Sequence, residues 1–271
     1  MGSVTIELEA PFITQDCCTK ILRTIFELLL YNRSQIPFPY STFRMLAKKL
    51  DADSVDLDSV AGVQVNRQRE KVQHVIDCAE LVLETLEKIL SKHPVSELMI
   101  LLGKTVYTAK EAFIVKLPSA DVNHFGKNHQ RKCEQILQKI GLQLTLCDEI
   151  ITDSNLGDTN ILVMVQLSTS NEHQVGSMYG MNLSDDYQLP RKCVTYSINL
   201  KTTEDHGDES TYTCCKRLKI HNEHTEQPSP SSDKQHELTT METDMKPHWF
   251  LLNTVVSGFS IKSAKHLKIW H

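Results

Sequence analysis

Seven apolar residues in Arg67–Lys92 constrain this chain more than any other feature. Val72, Val75, Ile76, Ala79, Leu83, Leu86 and Leu90 follow one another at spacings of 3, 1, 3, 4, 3 and 4. Such a stripe lies along one side of an α-helix and has to be covered by another layer. Glu84 and Lys88 face the other way as an i,i+4 pair, and Pro94 marks the end. Short runs of a different kind surround this helix. Val4–Glu9 alternates with period two, Leu98–Leu102 is a continuous apolar run closed by Gly103, and Ala112–Leu117 is its expected hairpin partner.

Two more helices follow from periodicity. Over Gln15–Tyr31 the apolar set is Cys18, Ile21, Leu22, Ile25, Phe26 and Leu29, with Thr14 or Asp16 as cap and Ile36-Pro-Phe-Pro as terminator. Over Lys127–Leu146 it is Ile136, Leu137, Ile140 and Leu144. Tyr40–Leu50 has room for one or two further turns, and Ile161–Leu167 and Val194–Leu200 read as strands. Between Lys201 and Lys246 apolar residues thin out in favour of Glu, Asp, Ser, Thr and His, so 201–246 is expected to be a low-complexity insertion. Apolar character returns at Trp249–Phe259, ahead of a basic tail over 261–271 with Lys262, Lys265 and Lys268. This order predicts an α+β fold, with helices on one face of a mostly antiparallel sheet formed by 1–200 and 247–260.

Composition removes several functions. The chain has 271 residues, 40% hydrophobic and 23% charged, with net charge −5, so it has no overall basic field for nucleic acid. No apolar run approaches the ~20 residues of a membrane span. Met1–Ala10 lacks the basic start and apolar core of a secretory leader, which places the chain in the cytosol or nucleus and its eight cysteines as reduced thiols.

Motifs with chemistry fail on spacing. Gly103-Lys104-Thr105 follows a strand as a phosphate loop does, but Leu98 stands where the earlier glycine belongs and Val106-Tyr107 follows instead of a helix. In the acidic run Asp51, Asp53, Asp56, Asp58, a calcium loop would need glycine at Asp56 and glutamate at Gly62. Adjacent Cys214-Cys215, with His206, His221 and His224, cannot form the usual zinc knuckle. Gly176-Ser177-Met178-Tyr179-Gly180 has the wrong spacing for a nucleophile elbow, and Cys17-Cys18 lies on the apolar side of the first helix. No catalytic residue, metal ligand or cofactor is expected, and a protein-interaction domain is favoured.

A resemblance makes this concrete. Cys17-Cys18 and Leu29-Leu30-Tyr31-Asn32-Arg33-Ser34-Gln35-Ile36-Pro37-Phe38-Pro39-Tyr40 are similar to the first helix and following loop of the comet family. These are checkpoint-silencing proteins that bind mitotic-arrest-deficient protein two. The likeness continues at Leu98–Gly103, Ala109-Lys110-Glu111-Ala112-Phe113, Trp249-Phe250 and Val255–Phe259. It implies a HORMA-like fold: three helices on one face of the sheet and a C-terminal belt-like segment closing the other side.

The resemblance also implies a non-enzymatic adaptor. Family members bind the closed form of the partner helix against helix and present it to a pachytene-checkpoint AAA+ ATPase, with no nucleic acid or membrane involved. The setting is the nucleus and cytoplasm, and the spindle or kinetochore in mitosis. The family's partner-binding glutamine matches Asn32, beside Arg33, and its aromatic anchor falls on Leu137, or on Gln138 one residue later. Its ATPase-facing Pro-Lys pair falls near Leu183-Ser184, where neither residue stands, and the nearest basic residues are Arg191 and Lys192. The competing expectation is a HORMA-like module that captures a client peptide under its belt, and burial of Trp249–Phe259 in the sheet separates the two.

Overall fold

The stripe from Val72 to Leu90 is buried, and what covers it is a layer of helices on one face of a single sheet. The computed structural model describes residues 2–10, 12–52, 59–120, 129–151, 156–168, 172–203, 247–260 and 262. The elements run β1 (Gly2–Glu7), α1 (Gln15–Asn32), α2 (Tyr40–Ala52), α3 (Val60–Leu90), β2 (Val95–Gly103), β3 (Ala109–Lys116) and α4 (Gln130–Leu146). They continue with α5 (Asp148–Ile151), β4 (Asn160–Ser168), α6 (Glu172–Tyr179), β5 (Met181–Leu183), β6 (Val194–Lys201), β7 (Pro247–Leu252) and β8 (Val256–Ser257).

The sheet has the order β1-β6-β3-β2-β4-β7-β5, with β8 also on β4. β6 is parallel to both β1 and β3, and the other pairings are antiparallel, β2/β3 among them as expected. The fold is therefore α+β. β2 is buried on both sides. Leu98, Ile100 and Leu102 face the helices, whereas Met99 and Leu101 join Ala112, Leu162 and Met164 on the second face.

A strap covers that second face. β5 lies at one edge of the sheet and β6 lies next to the other edge. Ser184–Cys193 therefore crosses β7, β4, β2 and β3, about 24 Å at ~4.8 Å per strand. Tyr187, Leu189 and Cys193 pack on the apolar residues beneath.

Local chemistry explains the helix ends. Thr14 caps α1, its hydroxyl accepting from the Cys17 N–H at 3.2 Å. Ser59 does the same for α3 through the Gly62 N–H, which starts that helix at Val60, seven residues before the expected Arg67. α2 is a thirteen-residue helix where one or two turns were expected. α1, α2 and α3 are tied together at Glu80, which accepts from Arg23 and from the Tyr40 hydroxyl at 3.0 Å and pairs with Arg44 at 2.9 Å. Burial and the Glu80 charge push the Tyr40 hydroxyl well above its ordinary pKa.

The last described strands are built into the sheet. β7 pairs with β4 and β5, β8 pairs with β4, and Phe250, Leu252, Val256 and Phe259 are buried. Beyond β8 the segment turns onto the helical layer. The Phe259 N–H donates to the Gln35 carbonyl at 2.6 Å, and its ring stacks on Phe43 at 6.4 Å. Gln35 is fully buried. Its amide donates to the Arg33 and Gly157 carbonyls and accepts from the Thr159 N–H at 3.0 Å. A Cβ on Gly258 would run into the Gln35 amide oxygen and lie 3.0 Å from the Thr159 backbone.

β6 continues through Lys201, and the Thr203 N–H donates to the Ala10 carbonyl, so 201–203 belong to the folded part. The rest of the expected insertion, with Cys214, Cys215, His206, His221 and His224, lies outside the described residues, as do Lys127, Asp53, Asp56, Asp58, Lys265 and Lys268.

Two glycines give opposite expectations. Gly258→Ala is expected to cost about 1–3 kcal/mol by overpacking against Gln35 and Thr159. Gly141→Ala, in mid-α4 with open space around it, is expected to add about 0.5–1 kcal/mol by helix propensity. Urea unfolding of both variants checks this, with midpoints moving in opposite directions at unchanged slope.

Candidate partner-docking face

α1 and α4 pack side by side and run in the same direction. The Cys17 and Cys133 thiols lie together near their first turns, and Arg33, just past α1, reaches the Ile150 carbonyl just past α4. These cysteines are packing groups, and burial pushes the Cys18 thiol up to about 12. At 1.5 Å per residue, Asn32 lies about 22 Å along α1 from Cys17, whereas Leu137 lies about 6 Å along α4 from Cys133. Asn32 and Leu137 are therefore about 16 Å apart along the helix axes, and Asn32 is level with Leu146 instead.

The four expected partner-binding residues fall into different environments. Gln138 is exposed on α4, while Leu137 is half-buried against the main core. Asn32 is half-buried, and its amide nitrogen is enclosed with no hydrogen-bond partner among the described residues. Arg33 has to be removed from the set. Its side chain is 0% exposed and donates to Glu111 at 2.7 Å. The guanidinium lies 5.0 Å from the Phe113 ring and 5.2 Å from the Tyr196 ring. It holds the end of α1 to β3 and β6 and has no surface to offer a partner.

Two exposed apolar residues stand outside that expected set. Leu142 and Leu146 are 60% and 68% exposed, one and two turns after Gln138 on the outer side of α4. Both stand off the stripe of Ile136, Ile140 and Leu144, and that was the signal available in the sequence. Tyr31, next to Asn32, is 42% exposed. The ends of α1 and α4 therefore present apolar side chains at one level of the helical layer, the surface a partner's helix can bury.

A cavity of about 450 Å³ lies between α3 and the 257–259 segment, with Lys71, His74, Asp158 and Ser257 in its lining; elsewhere the described residues offer little that gathers reactive groups. No group of three or more His, Cys, Asp or Glu side chains converges on a metal-sized space among them, and no described helix is long and apolar enough to cross a membrane. Gly103 approaches the Ala109 backbone, with a Cβ there only 2.5 Å from Ala109 Cα, and the turn that follows is a single 3₁₀ turn at Val106–Thr108. That is a close backbone contact at a bulge, not a phosphate cradle.

A one-sided helical layer on a mostly antiparallel sheet, with the last strands folded into that sheet, defines a HORMA-like interaction domain. The model of the p31comet family, described as Mad1 and Cdc20-bound-Mad2 binding, matches residues 2–193, and the chain belongs to this family. The match ends where β6 begins. The chain is also similar to the MAD2L1-binding protein of Mus musculus, with 24% identity over 166 residues that cover 60% of this chain and 58% of that protein. The chain thus matches somewhat over half the length of that relative.

Arg33→Ala is expected to destabilise the fold by about 3–5 kcal/mol, because it leaves Glu111 buried and unpaired. Arg33→Met with Glu111→Leu is expected to restore most of that loss. Chemical denaturation of the single and double variants measures both. A double variant as unstable as the single one would contradict the role given to the pair.

Proposed function

We propose that the chain is a non-enzymatic adaptor of the spindle checkpoint. It binds the closed form of the mitotic-arrest-deficient HORMA protein through the outer side of α4 and the end of α1. It then presents this partner to a pachytene-checkpoint AAA+ ATPase, which takes the checkpoint complex apart. The proposed setting is the nucleus and cytoplasm, with the spindle or kinetochore in mitosis. Family membership and the name of the mouse relative support the choice of partner. The observation that carries the reading is the pair Leu142 and Leu146, exposed at helical spacing beside Gln138.

Peptide capture under a belt is the weaker alternative. The edge of β4 that a client strand would need is paired with the chain's own β7 and β8. For the motor-facing side, Leu183 and Ser184 stand where the family has Pro-Lys, and Arg191 and Lys192 at the far end of the strap are exposed cations. All ATP chemistry in this proposal belongs to the motor.

The test is a pull-down with closed and open forms of the partner. Binding to the closed form alone is expected. Leu142→Glu with Leu146→Glu should weaken it at least about tenfold, the loss of a central apolar anchor, at an unchanged thermal melt. Asn32→Ala with Leu137→Ala should lower both binding and stability, since Leu137 also packs on the core. Equal capture of open and closed partner would contradict the proposal. A second assay adds motor and ATP to the closed partner, and the chain is expected to accelerate its opening by raising local concentration.

A further inference from the structure

Two turns meet at one end of the sheet, on the face away from the helices. One is Lys104–Thr108 between β2 and β3, and the other is Pro190–Cys193 at the end of the strap. The Tyr187 hydroxyl donates to the Val106 carbonyl at 3.0 Å, and the Tyr107 and Tyr187 rings are 6.4 Å apart. The Cys193 N–H closes the second turn on the Pro190 carbonyl at 2.9 Å. Pairing of Glu111 with Val194 then sets Lys110 beside that turn. Burial holds the Tyr187 hydroxyl up to about 12, so it stays a protonated donor and the turns stay joined.

This junction concentrates positive charge against the sign of the whole protein. Lys104, Lys110, Arg191 and Lys192 are all exposed, and none forms an ion pair among the described residues. The chain as a whole carries net charge −5. Neither turn contains an acid. Glu111 is turned inward onto Arg33, and the strap's two exposed carboxylates are Asp185, held by His248 and the Trp249 N–H, and Asp186 beside Tyr187. Among these cations stands Tyr107, 77% exposed, a large side chain that loses little freedom when it is covered.

We propose that this junction is a second docking surface, which takes a short acidic segment of a protein partner. Its carboxylates meet Lys104, Lys110, Arg191 and Lys192, and an apolar side chain of the segment lies against Tyr107. Charge complementarity selects the occupant, and the tyrosine adds contact area that charge alone does not supply. The surface takes in Arg191 and Lys192, which the proposed function sets toward the motor, and because the sheet separates it from the α4 face, both faces can be occupied at once.

The test needs neither checkpoint partner nor motor, so its failure is distinct from failure of the adaptor proposal. The full chain is titrated into a fluorescein-labelled peptide of alternating Glu and Asp with one central Leu, and anisotropy is read at physiological ionic strength. Binding is expected, with loss when Gln and Asn replace the acids. Arg191→Glu with Lys192→Glu should weaken binding by about tenfold or more, and Tyr107→Ala by a similar factor, each at an unchanged melt. Lys48→Glu with Lys49→Glu on α2 makes the same change in net charge away from the junction and should leave binding within about twofold. No binding, or equal weakening by the α2 control, overturns the proposal. So does tighter binding of an oligothymidylate that the junction variants abolish, since that assigns the surface to nucleic acid.

Discussion

The fold hangs on a buried cation. Arg33 ends α1 and reaches across to Glu111 on β3, with its guanidinium over the facing rings of Phe113 and Tyr196, which lie 4.8 Å apart. Its other reach is to the Ile150 carbonyl in α5. Four elements far apart in the chain thus converge on one side chain. A buried ion pair contributes little net stability against an apolar replacement, but each half is costly without the other. The arrangement therefore fixes which surfaces meet: the end of α1 is tied to the middle of the sheet, and with it the register of the helical layer. The parallel insertion of β6 between β1 and β3 carries Tyr196 to the same place.

Gln35, two residues later, extends that junction to the end of the chain. It bonds the 157–159 turn with its side chain and Phe259 with its carbonyl, so the last described segment is fastened to the loop after α1. Helical layer, sheet and the 247–260 segment are thereby one packed unit. The outer side of α4 and Tyr31 at the end of α1 are left exposed. Side chains fixed in advance by such a frame lose less freedom when anything docks on them.

Much of this was legible in the sequence, and the misses have physical causes. The 3.6-residue stripes located α1, α3 and α4, since a long amphipathic helix repeats its signal many times. The β2/β3 hairpin followed from two apolar runs and Gly103. β5 and α6 escaped because three- and eight-residue elements repeat nothing often enough to be seen. Arg33 was read as a surface group because its partner lies 78 positions away, and only strand register brings them together. Leu142 and Leu146 are legible in principle as leucines off the stripe, but a periodic pattern marks the buried side of a helix and says nothing of which off-stripe residues matter. The crossing of the strap was invisible for a different reason: Ser184–Cys193 has no periodicity, and its path follows only from where β5 and β6 end up.

The central claim is that a partner docks on the helical layer while the chain's own last strands stay in the sheet. Hydrogen–deuterium exchange of the chain, free and saturated with closed partner, tests it most directly. Slowed exchange confined to the C-terminal half of α4 and the last turn of α1, with 247–260 unchanged, is the expected result. Faster exchange across 247–252 together with new protection along β4 would contradict it, because that pattern means a client strand has displaced β7.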